Sequence, residues 1–264
     1  MGMIAFWRAV LFLILTIVLA PIQLLSLVLF PPLSRWLPVY YFRIVLWILD
    51  VQVHVRGDLP LAGTLVVSNH ISWLDIVVLG AQRPTHFIAK SEIAGWPLFG
   101  QLAKLNRTIF INRGRRADVG KNRDAIAKRL ATGDCMTLFP EGTSSDGLRI
   151  LPFKSGLFSA VMPSDGEMMF PVQPVSMVYT RKQGLVMGRR QRAAYGWYGD
   201  TELVPHLLYV LNSSRIEITL NYHTVPSLEV AAHRKELARY CQDLIAEGMR
   251  EILEHRLALG GKNR

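Results

Sequence analysis

The chain opens with an apolar block and then changes character. Residues 10–30 are 21 consecutive positions without a charged side chain, long enough to cross a hydrocarbon core of about 30 Å as a helix. Pro31-Pro32 interrupts the run, and a second apolar stretch covers 36–49, with Tyr40, Tyr41 and Trp47 suited to a membrane interface and Arg43 able to reach toward water. The pattern predicts two linked apolar helices over residues 1–50, spanning a bilayer or lying as a hairpin in one leaflet. Arg8 before the block also fits a secretory leader, but no short Ala-x-Ala-like site exists, and Pro21 directly after Leu19-Ala20 is a poor cleavage point. The segment is read as retained, and its charge-free length argues against helices that merely pack on a core.

After Gly57-Asp58 short apolar runs alternate with polar helical stretches, the pattern of a βα domain over 51–264. Strands are predicted at 51–55, 64–68, 86–89, 108–111, 135–139, 172–179 and 215–221. Helices are predicted at 74–81, 93–104, 118–131, 156–162 and 229–259. In the last of these Leu237, Cys241, Leu244, Ile245, Met249, Ile252 and Leu253 recur at helical spacing as one apolar stripe. The expected fold is α/β, a mixed and mostly parallel sheet flanked by helices, behind an N-terminal membrane-associated helical pair.

Charge narrows the partners. The 30 basic and 20 acidic side chains leave a net charge of +10. Nine of the basic residues fall between Lys104 and Arg129 against only Asp118 and Asp124, and five more lie between Arg181 and Arg192 with no acid. Such patches suit anionic lipid headgroups, an acidic carrier protein or nucleic acid, and the absence of zinc-finger spacing or an RNA-binding aromatic motif argues against the last. Cys135 and Cys241 lie in apolar contexts and read as reduced core residues, which suits a cytosolic face. Arg35, Arg43 and Arg56 follow the apolar block while only Arg8 precedes it, a bias that also places the main domain in the cytosol.

Chemistry concentrates in Ser68-Asn69-His70-Ile71-Ser72-Trp73-Leu74-Asp75. Five residues of regular helix would leave His70 and Asp75 about 140° apart, so His70 belongs in a turn and Asp75 on the helix that follows, with Ser72 or Asn69 as its cap. The strand, turn and helix around them form the kind of junction where open α/β folds place their sites. A neutral imidazole there can take a proton from a hydroxyl that attacks an acyl carbonyl, while the carboxylate fixes the tautomer. No Gly-x-Ser-x-Gly elbow is present, and no His-Glu-x-x-His or paired Cys-x-x-Cys supports a metal. Direct transfer within one complex is the simpler chemistry; a hydrolase, with water in place of the acceptor hydroxyl, would use the same base. A non-catalytic lipid-binding protein is the third possibility.

Together with Thr108-Ile109-Phe110-Ile111-Asn112-Arg113, Phe139-Pro140-Glu141-Gly142-Thr143 and Phe170-Pro171-Val172-Gln173-Pro174-Val175, the His70 segment resembles the lysophospholipid acyltransferase family, typified by 1-acylglycerol-3-phosphate acyltransferase. The resemblance covers roughly residues 60–180. It implies an acyl thioester co-substrate, acyl carrier protein or acyl-coenzyme A, with no cofactor, and a lysolipid hydroxyl as acceptor. It also implies His70 as general base and Asp75 as its partner, with Arg113, Glu141, Gly142, Thr143 and Ser144 binding substrate. Phosphatidate-forming members usually carry an arginine after Glu-Gly-Thr; here Ser144-Ser145-Asp146-Gly147 follows instead. That stretch, and Trp197-Tyr198-Gly199-Asp200-Thr201-Glu202-Leu203-Val204-Pro205-His206, look like the bacterial branch that O-acylates lyso-ornithine lipid, whose carboxylate Arg113, Arg149 and Lys154 could meet. Lysophosphatidic acid, or both acceptors, stay open. The implied location is the bacterial inner (cytoplasmic) membrane, with the catalytic domain facing the cytoplasm.

Overall fold

All seven predicted strands form, and the central ones are apolar runs buried on both faces. The computed structural model describes residues 2–112, 118–162, 168–226 and 233–260. Its order is α1 (Met3–Leu29), α2 (Pro31–Leu49), β1 (Val51–Arg56), β2 (Leu65–Ser68), α3 (Leu74–Gly80), β3 (His86–Lys90), α4 (Phe99–Leu105), β4 (Ile109–Ile111), α5 (Asp118–Ala131) and β5 (Met136–Leu138). Then follow β6 (Val172–Lys182), β7 (Leu185–Val186), α6 (Arg189–Ala194), α7 (Leu203–Leu211), β8 (Ile216–Tyr222) and α8 (Arg234–Gly260). The sheet runs β1-β8-β6-β2-β5-β3-β4, with β7 on β6. β6, β2, β5, β3 and β4 run parallel, and the direction reverses next to β6, which pairs antiparallel with β8 and β7 while β1 runs parallel to β8.

Alternate strand residues point to opposite faces, and two cores result. Val66, Phe87, Phe139, Val175, Met177 and Tyr179 pack with α2 and α3, while Leu65, Val67, Met136, Leu138 and Val172 pack with Ile126 and Leu130 of α5 and with Leu237, Cys241 and Ile245 of α8. All four residues of β2 are buried, as expected of a parallel strand covered on both sides.

Three predicted helices come out differently. Residues 93–104 divide into a 3₁₀ turn, Ser91–Gly95, and α4. Pro97 forces its predecessor out of helical backbone, and Trp96 is extended at φ −70°, ψ 133°. Residues 156–162 form a 3₁₀ turn, Ser155–Ala160, rather than an α-helix. The helix predicted from 229 runs from Arg234, and positions 229–232 lie outside the described residues. Helix α7 was not anticipated, because Pro205 interrupts its apolar run; in the first turn of a helix proline costs no hydrogen bond.

Helix α1 is polar inside and apolar outside. Its buried residues are Ala5, Thr16, Gln23 and Ser26, whereas Ile14, Ile17, Val18, Leu24, Leu25 and Val28 are exposed. This inverts the arrangement of a helix in water. It is the one helix among the described residues long and apolar enough to cross a membrane. Both of its ends are fastened to the domain. Arg8 Nη1 donates to Leu211 O and Ser213 O at 3.0 and 2.6 Å, and Gln23 Nε2 donates to Ser34 O and Leu105 O at 3.0 and 3.1 Å.

Candidate active site

Sheet register assembles the site. Val67 of β2 lies beside Leu138 of β5, and Ser68 beside Val175 of β6. The chain therefore leaves β2 and β5 at the same edge, delivering the His70 turn next to Phe139-Pro140-Glu141, while β6 continues past both. Asn69 does not cap α3. It clamps the turn to β6, with Oδ1 accepting from Met177 N–H at 2.8 Å and Nδ2 donating to Met177 O at 3.0 Å.

His70 sits in a turn and Asp75 in the first turn of α3, as the five-residue spacing requires. The turn wraps around one carboxylate oxygen. Asp75 Oδ2 accepts from His70 Nδ1 at 2.8 Å, Ile71 N–H at 2.6 Å and Ser72 N–H at 2.8 Å. With an anion at Nδ1 the imidazole carries its proton there and leaves the Nε2 lone pair available. The imidazole stacks on Phe139, centroids 4.0 Å apart and planes 14° apart. Its side chain is 17% exposed, whereas Asp75 is fully buried.

His70 also lines an apolar cavity of about 450 Å³ that is partly open to the outside, within the usual range for a ligand pocket. Phe12, Ala20 and Gln23 of α1, Tyr41 and Val45 of α2, Phe87 of β3 and Leu207 of α7 contribute to its walls. Trp73 and Trp197 also line it. Trp73 Nε1 donates to His206 Nδ1 at 3.0 Å, and His206 Nε2 contacts Tyr195 O at 3.2 Å. Burial pulls His206 below the usual imidazole range, which suits this neutral, two-sided role.

Glu141, read from the sequence as a substrate contact, ties two loops together. Its Oε1 accepts from His70 N–H at 2.7 Å and its Oε2 from Leu151 N–H at 2.9 Å, and it is 2% exposed. Burial pushes its carboxyl up to about 7, against the pull of both N–H groups and with help from the charges of Asp75 and Asp146. Gly142 takes the left-handed backbone at φ +76° that turns the chain back. Ser144 Oγ donates to Trp197 O. Ser145, which sequence reasoning did not single out, holds His70 O through its N–H at 2.8 Å and its Oγ at 3.1 Å.

Thr143, Arg149 and Lys154 are exposed. Arg113 lies outside the described residues. The structure thus gathers His70, Asp75, Glu141, Gly142 and Ser144 at one sheet edge. It adds Tyr179, Trp73, Trp197 and His206, of which Trp73, Trp197 and His206 fall in motif stretches the sequence had marked, without a role there, and Tyr179 does not. The cysteines stand apart: Cys135 donates to Leu61 O, and burial pushes Cys241 up to about 12. A base with a free lone pair, an orienting carboxylate and an apolar chamber, with Ser144 and Ser145 engaged by backbone, can activate a bound hydroxyl against a fatty acyl carbonyl.

Comparison with known proteins agrees with this chemistry. Residues 50–178 match the family model described as Acyltransferase. The chain is 42% identical over 238 residues to a lyso-ornithine lipid O-acyltransferase of Brucella abortus, covering 88% of each. It is 39% identical over 246 residues to one of Rhizobium meliloti, covering 92% of this chain and 83% of the relative. The crystal structure of a 1-acyl-sn-glycerophosphate acyltransferase from Thermotoga maritima has the same fold, with a TM-score of 0.56 at 21% identity, over 93% of this chain and 97% of that one.

Proposed function

The chain belongs to the acyltransferase family, and we propose that it transfers a fatty acyl group from a thioester donor to the free hydroxyl of a lysolipid, with lyso-ornithine lipid, which becomes ornithine lipid, as its acceptor. The observation that carries this reading is His70, oriented by the buried Asp75, in the wall of an apolar cavity. The donor's acyl chain occupies that cavity. His70 Nε2 takes the acceptor's hydroxyl proton as its oxygen attacks the thioester carbonyl, and Asp75 steadies the imidazolium. Collapse of the tetrahedral adduct breaks the C–S bond, and the departing sulfur takes the proton from His70. No covalent acyl-enzyme is needed.

Two relatives at 39% and 42% identity carry the lyso-ornithine name, and a headgroup with a carboxylate and an amine needs fewer arginines than a phosphomonoester. Ser144 at the position where phosphatidate-forming members carry arginine fits that acceptor. Acyl carrier protein is the proposed donor carrier, because basic patches suit an acidic partner; acyl-coenzyme A is the alternative. Residues 1–50 form a membrane hairpin and 51–264 the catalytic domain, at the cytoplasmic face of the bacterial inner membrane. Helix α1 is held to the domain at Arg8 and at Gln23, so it lies along the domain and dips its apolar outer face into one leaflet.

The test supplies purified full-length protein with labelled acyl carrier protein or acyl-coenzyme A and with lyso-ornithine lipid, lysophosphatidic acid or no acceptor. Products are identified by mass spectrometry. Ornithine lipid is expected. Phosphatidate alone would overturn the acceptor, free fatty acid without acceptor dependence would make the protein a hydrolase, and no turnover in any arm would leave a lipid-binding protein.

A further inference from the structure

Asp75 is fully buried, and a buried carboxylate is costly unless both oxygens are satisfied. Oδ2 is occupied by His70 and the two N–H groups of the turn. Oδ1 accepts from Tyr179 Oη at 2.8 Å. Nothing local in the sequence marks this residue: Val175 is the partner of Ser68 in the β6–β2 register, and Tyr179 comes four positions further along β6, where the strand overruns β2. Its ring is 1% exposed among the apolar residues that cover this face of the sheet, a place that phenylalanine would fill at no polar cost. The hydroxyl is useful there because it meets the carboxylate.

From this geometry we propose that Tyr179 is a positioning residue for the His70–Asp75 pair, fixing the rotation of the carboxylate so that Oδ2 stays aimed at the imidazole. This rests on the reading of His70 as base. Tyr179 is itself held in place. It stacks with Tyr195, centroids 6.0 Å apart, and Tyr195 Oη donates to Ser213 Oγ at 3.1 Å. Burial and the charge of Asp75 push the phenol well above its ordinary range, so it remains a donor throughout the working pH range. The other titratable groups facing this carboxylate are His70 on the turn, Glu141 from the loop after β5, and His206 from α7.

Removing the phenol's donation leaves the carboxylate less stabilised and a stronger partner for a protonated imidazole. Tyr179→Phe, which keeps the ring stack, should lower kcat about tenfold, the effect of losing one hydrogen bond to a charged group. It should move the acid limb of the kcat/KM profile to higher pH, with KM for either substrate little changed. Replacing Tyr179 by 3-fluorotyrosine, a stronger donor of nearly equal size, should move that limb the opposite way. Because Glu141 also faces the carboxylate, the measurement is repeated with Glu141→Gln, where the shift should persist. A purely structural hydroxyl would lower Tm and leave both profiles unmoved, and that result would overturn the proposal; an insoluble Phe variant leaves the fluorinated one to decide. His70→Ala run in parallel separates the two claims: retained turnover there removes the base, whereas an inactive His70→Ala beside unmoved Tyr179 profiles removes only the role of Tyr179.

Discussion

Asp75→Asn tests the wrapped turn most sharply, because the geometry dictates which way the amide must lie. Three N–H groups converge on Oδ2 and one phenol donates to Oδ1. An asparagine that puts its carbonyl oxygen at the Oδ2 position keeps all three N–H bonds, and its NH₂ group then meets the oxygen of the Tyr179 hydroxyl, which also has the Ser72 side chain beside it. The opposite orientation would aim NH₂ at two buried backbone N–H groups, each costing about 1–3 kcal/mol when left unpaired. The imidazole therefore keeps its tautomer, and only the charge is lost. Hydrogen bonds to a charged group contribute about 1.5–3 kcal/mol against about 0.5–1.5 for neutral pairs. The loss of about 1–2 kcal/mol lowers kcat between roughly fivefold and thirtyfold. In a serine protease triad the same exchange costs about 10⁴-fold, because there the imidazole adopts the wrong tautomer. The assay is kcat at saturating donor and acceptor, together with Tm to establish that the variant is folded. A loss near 10⁴-fold would show that the amide had turned over and that the three donors do not control it. A loss below about twofold would remove the carboxylate's charge from the chemistry.

His70→Ala should reduce transfer by about 10² to 10⁴, and a folded variant that turns over normally would refute the base assignment. Glu141 is raised by burial from its ordinary 4.5 to about 7, so the folded chain holds this proton more tightly than the unfolded one. Its favourable contribution is complete below pH 4.5 and lost as pH rises through about 7. The stability of wild type minus that of Glu141→Gln should therefore fall across this window by at most about 3 kcal/mol, read from denaturant melts, and a flat difference would contradict the burial argument. Ala20→Phe puts a ring into the cavity wall; each methylene excluded from the cavity forfeits about 0.8 kcal/mol, so competition between donors of different length should shift toward shorter chains, and an unchanged preference would place the acyl chain elsewhere.

How much of this site was legible depended on distance along the chain. His70 and Asp75 are five residues apart, and the helical period alone forbade their meeting within one helix, so the turn followed. Helix 118–131 was legible to the residue. Glu141 was visible as a motif residue but not in its role, because nothing in Phe139-Pro140-Glu141-Gly142 says that β5 will lie beside β2 and bring a carboxylate within 2.7 Å of His70 N–H. Ser145 reaches its partner His70 across 75 residues, Ser144 reaches Trp197 across 53, and Trp73 and His206 meet across 133. The division of 93–104 was readable in hindsight from Trp96-Pro97, whose backbone restriction is local; the apolar period had masked it.

By itself the sequence determined the types of element, the apolar outer character of the first helix and the pairing of an imidazole with a carboxylate. Those depend on side-chain periodicity and on contacts within a few residues, where the backbone leaves little choice. Only the tertiary structure decided that a tyrosine completes the carboxylate, that Glu141 braces the turn, and that the apolar helices close a cavity against the sheet. Those outcomes depend on register between strands far apart in the chain, and pairing energy along a buried strand is nearly the same for many apolar sequences until the whole core is packed.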